Sequence, residues 1–240
     1  MDVRIIADAD DYFVLDKPAG VLAHPTARGE AGTLAQWIKE RYPGVAKVGE
    51  DEMRPGMMHR LDKEASGVMV IAKTPDMFDH LKAQFQRREV VKEYLVLVHG
   101  KLPADHGMID FAIDRGAKGR MAARPKIDLT RVKNVGKEQP GRDARTEFTV
   151  EKRFARFTLL RVQTHTGRTH QIRVHMLAYG HPVVGDDLYF NRKLNRKKDQ
   201  ELGRLFLHAE KICFKDLAVE RVCYEAPLPT ELTAFLEKLN

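Results

Sequence analysis

Residues 57–74 read MMHRLDKEASGVMVIAKT. Five of the six side chains from His59 to Glu64 are ionisable, and only Leu61 interrupts them. Ser66-Gly67 then breaks the run, and the apolar VMVIA follows. A short apolar run bounded by turn residues fits a strand buried on both faces, so the stretch reads as a charged turn feeding a core strand. Asp62 stands at the entry to that strand, where a side chain can lose water on one side and face a cleft on the other.

Outward from this point the chain alternates strand and helix signals. YFVLDKPAGVLAHP (12–25) reads as strand, turn, strand, with Pro18 and Gly20 making the turn. TLAQWIKERYPG (33–44) is a short helix stopped by Pro43-Gly44. Thr74-Pro75 opens a second helix with Phe78, Leu81 and Phe85 on one face, closed by Arg87-Arg88 where the helix dipole favours cations. VVKEYLVLVHG (90–100) is a strand with Tyr94, Val96 and Val98 on one face. TEFTVEKRF (146–154) and ARFTLLRVQ (155–163) read as paired strands, and THQIRVHMLAYGHP (169–182) changes to helical period. RLFLHAEKICF (204–214) and VERVCYEAP (219–227) are strands, and PTELTAFLEKLN (229–240) is a capped terminal helix. Adjacent strands outnumber helices, which predicts an α+β fold with a mixed, mainly antiparallel β-sheet, flanking helices and one domain over 1–240.

Composition narrows the function classes. No stretch approaches the roughly 20 apolar residues of a membrane helix, and MDVRIIADADDY lacks a basic-then-apolar leader. The reading is therefore a cytoplasmic protein, with Cys213 and Cys223 as buried reduced thiols. The net charge is +7 with an isoelectric point near 9.4, which suits a polyanionic partner. Between 115 and 145, ten Lys and Arg face three Asp and Glu, and a second basic cluster spans 191–198. Each can be a solvated face or a nucleic-acid surface. The 115–145 segment reads as a long excursion over the sheet's surface.

Metal chemistry finds little support. His165, His170 and His175 recur every five residues, which on a helix turns each by about 140° from the last and prevents convergence. There is no HExxH and no phosphate-cradling glycine loop. Ser66, the only serine, lacks a GxSxG frame and suits a tight turn. Asp62 remains as the chemical candidate, against its use as a cap or a surface ion pair with Lys63 or Arg60. A desolvated carboxylate stays ionised only beside a cation. Arg173, set between Ile172 and Val174, is a long-range partner too costly to bury unpaired; its alternative is a structural pair with Asp186 or Asp187. Tyr94 can equally be a plain strand aromatic, His59 a packed core group, Lys17 a solvated turn residue, and Gly167 and Gly185 simple turn formers.

HRLDKEASG (59–67) resembles the HRLDxxTSG signature of the RluA-type pseudouridine synthases. DKPAGVLAHP (16–25), KEYLVLVHG (92–100), GRTHQIRVHMLAYGHPVVGDDLY (167–189) and LFLHA (205–209) resemble that family's other blocks in order. Ala65 departs from the usual Thr, a change that removes no catalytic group. The resemblance implies a pseudouridine synthase fold with a central RNA-binding cleft. It implies isomerisation of uridine to pseudouridine in ribosomal or transfer RNA, with no cofactor and no metal. Asp62 is then the nucleophile, Tyr94 stacks on the base and takes part in proton removal, and Arg173 pairs with the carboxylate. Leu207, or Leu205, lies beneath the base, Arg60 fills the gap left by the flipped nucleotide, and His59 and Arg168 contact substrate. The family's small leading RNA-binding module has no room before residue 12. The implied protein is a monomer that binds structured RNA through its own basic segments. A non-catalytic RNA-binding protein and a glycosidic hydrolase are the competing readings.

Overall fold

The computed structural model describes residues 1–26, 28–116, 120–124, 141–191, 194 and 196–239. In chain order the strands are β1 (Arg4–Asp8), β2 (Tyr12–Lys17), β3 (Ser66–Ala72), β4 (Val91–His99), β5 (His106–Ile109), β6 (Ala112–Arg115), β7 (Met121–Arg124), β8 (Thr146–Arg153), β9 (Phe157–Thr164), β10 (Leu207–Lys215) and β11 (Arg221–Glu225). Nine of them form one sheet in the order β1-β2-β3-β10-β4-β9-β8-β5, with β11 joined to the far half of β10; β6 and β7 make a separate hairpin. Every pairing is antiparallel except β3 with β10. The expected α+β class with a mainly antiparallel sheet is what the chain adopts.

Helices α1 (Leu34–Arg41), α2 (Pro75–Arg87), α3 (Gln171–Ala178), α4 (Lys197–Leu202) and α5 (Thr230–Glu237) flank the sheet, with a 3₁₀ turn at Pro43–Lys47. No helix among the described residues is long and apolar enough to cross a membrane. Thr74 caps α2 by accepting the Met77 N–H, and Pro75 occupies the first turn, where its missing donor costs nothing. Strand alternation divides the core. Val96 and Val98 of β4 join the cluster containing Leu34, Ile38, Phe78 and Leu81. Leu97 instead packs with Phe206, Leu232 and Phe235 on the α5 side. All of β3 is buried, as a central strand covered on both faces must be.

Several expectations need correction. Residues 18–25 form no strand after the Pro18-Gly20 turn; the segment instead pairs its backbone with α1, Leu34 N–H donating to the Leu22 carbonyl. Ser66 begins β3 rather than sitting in a turn, and its buried hydroxyl meets Arg204 at 2.7 Å and His208 Nδ1 at 3.0 Å. Pro229 precedes α5 without any side-chain cap. Cys213 and Cys223 are joined as a disulfide rather than free. They occupy directly paired positions of β10 and β11, so the hairpin register brings their Cα atoms to 4.1 Å. Of the basic residues in 115–145, Lys118, Lys126, Arg131, Lys133 and Lys137 lie outside the described residues, as do Arg192 and Lys193 of the second cluster. Arg196 and Lys198 are engaged by carboxylates, Arg196 with Asp187 and Asp199, Lys198 with Glu201.

Candidate active site

The middle of the sheet presents a small pocket to the loop before β3. Asp62, Tyr94 of β4, Leu207 of β10, Thr164 and residues 166–172 line it, a volume of about 100 Å³. Leu61 and Ala65 are buried on either side of Asp62, anchoring the loop in the core while the carboxylate stays partly open. A backbone bond from Ala65 N–H to the Asp62 carbonyl closes the turn. Ala65, where the family signature has Thr, sits in this apolar anchor.

The loop is also held from below. Lys17 is wholly buried, and its ammonium donates to the carbonyls of Pro18 at 2.8 Å, Val21 at 2.9 Å and Lys63 at 3.2 Å. Gly20 N–H reaches the same Lys63 carbonyl. Burial pulls the Lys17 pKa down to about 7, while the negative charges of Asp62 and Glu64 oppose the shift. Three acceptors use all three donors of the charged form, so the ammonium is a structural clamp under Asp62. The solvated-turn reading of Lys17 is wrong, because the turn folds back over its side chain.

Arg173 resolves its two alternatives by adopting both. Its Nη1 lies 3.2 Å from Asp62 Oδ2, while Nε and Nη2 make a fork to Asp186 at 2.7 and 2.9 Å. Asp186 Oδ1 also accepts the N–H groups of Leu188 and Tyr189. Burial opposes the guanidinium charge, yet the bonds to Asp186 and Asp62 hold its pKa above the usual arginine value. A fork to a fully buried carboxylate fixes the guanidinium plane and leaves Nη1 to present a positive edge to Asp62. Glu64 Oε2 stands 3.5 Å from the same nitrogen. Asp187, the other alternative, pairs with Arg196.

Tyr94 is half-buried across the pocket. Burial first, and then the Asp62 charge, push its phenol up to about 12 against a hydrogen bond from Thr164. Leu207 lines the pocket shared by Asp62 and Tyr94, whereas Leu205 lines a neighbouring depression that Asp62 and Arg173 also border. Arg60 is exposed at the rim with its guanidinium 2.9 Å from His24 Nε2. Arg168 lines the same rim and donates to the Asp143 carbonyl. His59 is turned inward: Nε2 accepts the Val70 N–H at 3.1 Å and the ring stacks on Phe85 at 4.9 Å. Burial and the nearby Lys92 lower its pKa to about 3, leaving a neutral ring. The structure therefore brings Asp62, Tyr94, Arg173, Leu207, Arg60 and Arg168 together, with His59 half-buried in the lining of the adjoining groove.

The three spaced histidines serve separate posts. His165 pairs with Glu147, His170 is the left-handed residue before α3 with Nδ1 2.9 Å from the Tyr189 hydroxyl, and His175 bonds Thr146 and the Phe111 carbonyl. His170 lines the Asp62 pocket, whereas the sequence drew attention to it only as one of three evenly spaced histidines. Its signal there, an N-cap position before a helix starting at Gln171, is too weak to separate it from its neighbours.

A family model described as RNA pseudouridylate synthase matches residues 11–178. An uncharacterised RNA pseudouridine synthase of Aquifex aeolicus is 43% identical over 78% of the chain and 56% of its own length. YlyB of Bacillus subtilis, also an uncharacterised RNA pseudouridine synthase, is 35% identical over the whole chain and 74% of its own length. The ribosomal large subunit pseudouridine synthase D of Nitrosomonas europaea is 35% identical over 99% of the chain and 65% of its own length. The chain thus spans between about half and three quarters of these relatives. Among solved structures, the human RNA pseudouridylate synthase domain containing 4 superposes with a TM-score of 0.77 at 26% identity, covering 98% of this chain and 92% of that one.

Proposed function

The chain belongs to the RNA pseudouridylate synthase family, and on that premise we propose that it isomerises uridine to pseudouridine in structured ribosomal RNA, in the cytoplasm, with residues 1–240 forming one catalytic domain. The observation that carries the reading is one carboxylate, Asp62, paired at 3.2 Å with the Nη1 edge of an otherwise committed Arg173 and facing a pocket walled by an aromatic and an aliphatic side chain. A uridine in a folded RNA must leave its stack to reach such a pocket. Tyr94 supplies a face for the base and Leu207 a floor, and stacking on an aromatic contributes ~1–3 kcal/mol. Arg60, exposed at the rim, takes the space the nucleotide vacates. The ribosomal target is favoured over transfer RNA because a relative 35% identical over 99% of the chain carries a ribosomal name.

In the reaction Asp62, as the nucleophile, bonds the substrate as the ribose C1′–N1 bond breaks and its electron pair leaves with N1; the base turns, and when C1′ bonds to C5 the bond to Asp62 is broken and the carboxylate is regenerated. The C5 proton then leaves to solvent and N1 ends protonated, so atoms balance without any redox partner. At neutral pH Tyr94 keeps its proton, since burial and Asp62 both disfavour the phenolate. Once Asp62 is engaged with the substrate and its charge is spent, forming the phenolate costs less, so Tyr94 can pass its own proton to solvent as it takes the C5 proton in the last step. This ordering gives Tyr94 two uses, stacking first and proton transfer afterwards.

The test is tritium release from ribosomal RNA labelled at uridine C5, followed together with free uracil. The wild-type protein should release tritium without uracil, and Asp62→Asn should lose turnover by ~10⁴-fold or more while keeping its fold. Free uracil would identify a hydrolase instead, and several per cent residual turnover in Asp62→Asn would remove the carboxylate from the chemistry.

A further inference from the structure

Beside the Asp62 pocket, and sharing Arg60, Tyr94 and Arg168 with it, runs a larger groove of about 570 Å³. Six cations line it: Arg54, Arg60, Lys82, Arg88, Lys92 and Arg168. No carboxylate stands among the described residues of its lining. Arg54 and Lys82 are tied to Asp51 and Glu50 outside the groove. Arg88 and Lys92 have no carboxylate partner among the described residues. Phe85 lines the same groove, with His59 stacked on it and the Lys92 ammonium 5.6 Å from its centroid. A half-open groove with cations around an aromatic platform is the combination that holds single-stranded nucleotides, phosphates on the rim and a base on the ring.

Arg88 adds an argument from the backbone. It ends α2 in the left-handed conformation, φ 61° and ψ 31°, a position where glycine is the usual occupant because it has no Cβ to clash. Retaining an exposed arginine there accepts local strain and sets a guanidinium at the groove's edge. Lys92 is likewise costly where it stands: burial lowers its pKa to about 8. Two cations kept against their local preference, in the wall that also holds Phe85, point to a ligand that repays them.

Resting on the synthase reading above, we propose that this groove is a second nucleotide subsite, in which Phe85 stacks an unpaired base flanking the flipped uridine and Arg88 and Lys92 bind its phosphates. The RNA that suits this protein therefore has a single-stranded neighbour next to the target, as in a loop or bulge, rather than a uridine inside a continuous helix.

The test uses the intact protein and fluorescein-labelled octauridylate, read by anisotropy over a series of KCl concentrations. Arg88→Gly should keep or raise Tm, because glycine suits the left-handed position, yet lower the slope of log affinity against log salt by about 0.7. Lys92→Gln should lower it by a similar amount. Phe85→Leu should weaken binding about 5- to 150-fold with the salt slope unchanged. Wild-type affinity and slope in both Arg88→Gly and Lys92→Gln would overturn the proposal, as would absence of octauridylate binding by the wild-type protein at low salt. Binding is read without turnover, so the two readings fail separately. Octauridylate held by these residues with no tritium release would sink the reaction and keep the groove, and tritium release with unaltered binding in the variants would do the reverse.

Discussion

Replacing Arg173 by methionine separates what this residue does for the fold from what it does for the site. The side chain is 3% exposed and its main partner Asp186 is 1% exposed. Arg173→Met leaves the Asp186 carboxylate buried, with only the N–H groups of Leu188 and Tyr189 as compensation. Breaking such a pair from one side costs about 3–5 kcal/mol, which for a domain of this size lowers Tm by roughly 6–20 °C. Asp186→Asn is milder, ~1–3 kcal/mol, because the guanidinium keeps Asp62 and Glu64 and the Asn oxygen still accepts both backbone bonds. The double variant removes both charges at once. Its loss should fall short of the sum of the singles by ~2–3 kcal/mol, measured by urea denaturation. Tritium release from labelled ribosomal RNA should stay lost in the double variant, since Asp62 has no positive edge against it. Losses that add within about 0.5 kcal/mol would refute the buried fork. Turnover that returns with stability would show that Arg173 acts on the fold alone.

Two further outcomes follow from the geometry. Gly67 has φ 121°, and a Cβ there would lie 2.2 Å from the Ala209 carbonyl oxygen of β10; Gly67→Ala should cost at least about 2 kcal/mol in urea denaturation, whereas Gly167→Ala, with open space around its Cβ position, should stay within about 0.5 kcal/mol. His59 has its folded pKa lowered to about 3 against 6.5 for the free side chain, so the unfolded state binds more protons between those values and stability falls as pH drops through that window. His59→Gln should remove up to one proton's share of that slope, ~1.4 kcal/mol per pH unit between pH 6 and 4; an unchanged slope would mean the ring is not buried neutral.

The elements most legible in the sequence were those whose local chemistry agrees with the fold. Thr74-Pro75 opens α2 because cap and first-turn proline need nothing from elsewhere, and VMVIA is a core strand because nothing but burial suits it. The strands β1, β5, β6 and β7 carry short or mixed patterns and acquire their identity from neighbours. Cys213 and Cys223 show the same limit: compartment arguments concern the average protein, whereas strand register decides which two side chains face each other.

The site divides along a similar line. Asp62 and its partners were legible because motif blocks mark them, although only the fold shows Arg173 serving Asp62 and Asp186 together. Lys17 was misread because a lysine beside proline and glycine looks solvated until the turn closes over it. The cationic groove was missed for a different reason. Lys82, Arg87, Arg88 and Lys92 share residues 76–93 with Asp76, Asp79, Glu89 and Glu93, and Arg54 follows Glu50, Asp51 and Glu52, so neither stretch is basic in sum. Folding sorts those charges by direction, sending Arg54, Lys82, Arg88 and Lys92 into the groove and leaving every carboxylate out of its lining. The conspicuous basic runs at 115–145 and 191–198 drew attention by density, yet Arg196 and Lys198 are spent on neighbouring carboxylates. For a polyanion the deciding quantity is local potential, which depends on which charges share a wall and not on which share a stretch of chain. A binding surface for RNA can therefore be strongest where the sequence looks balanced, as it does around the helix that ends at Arg88.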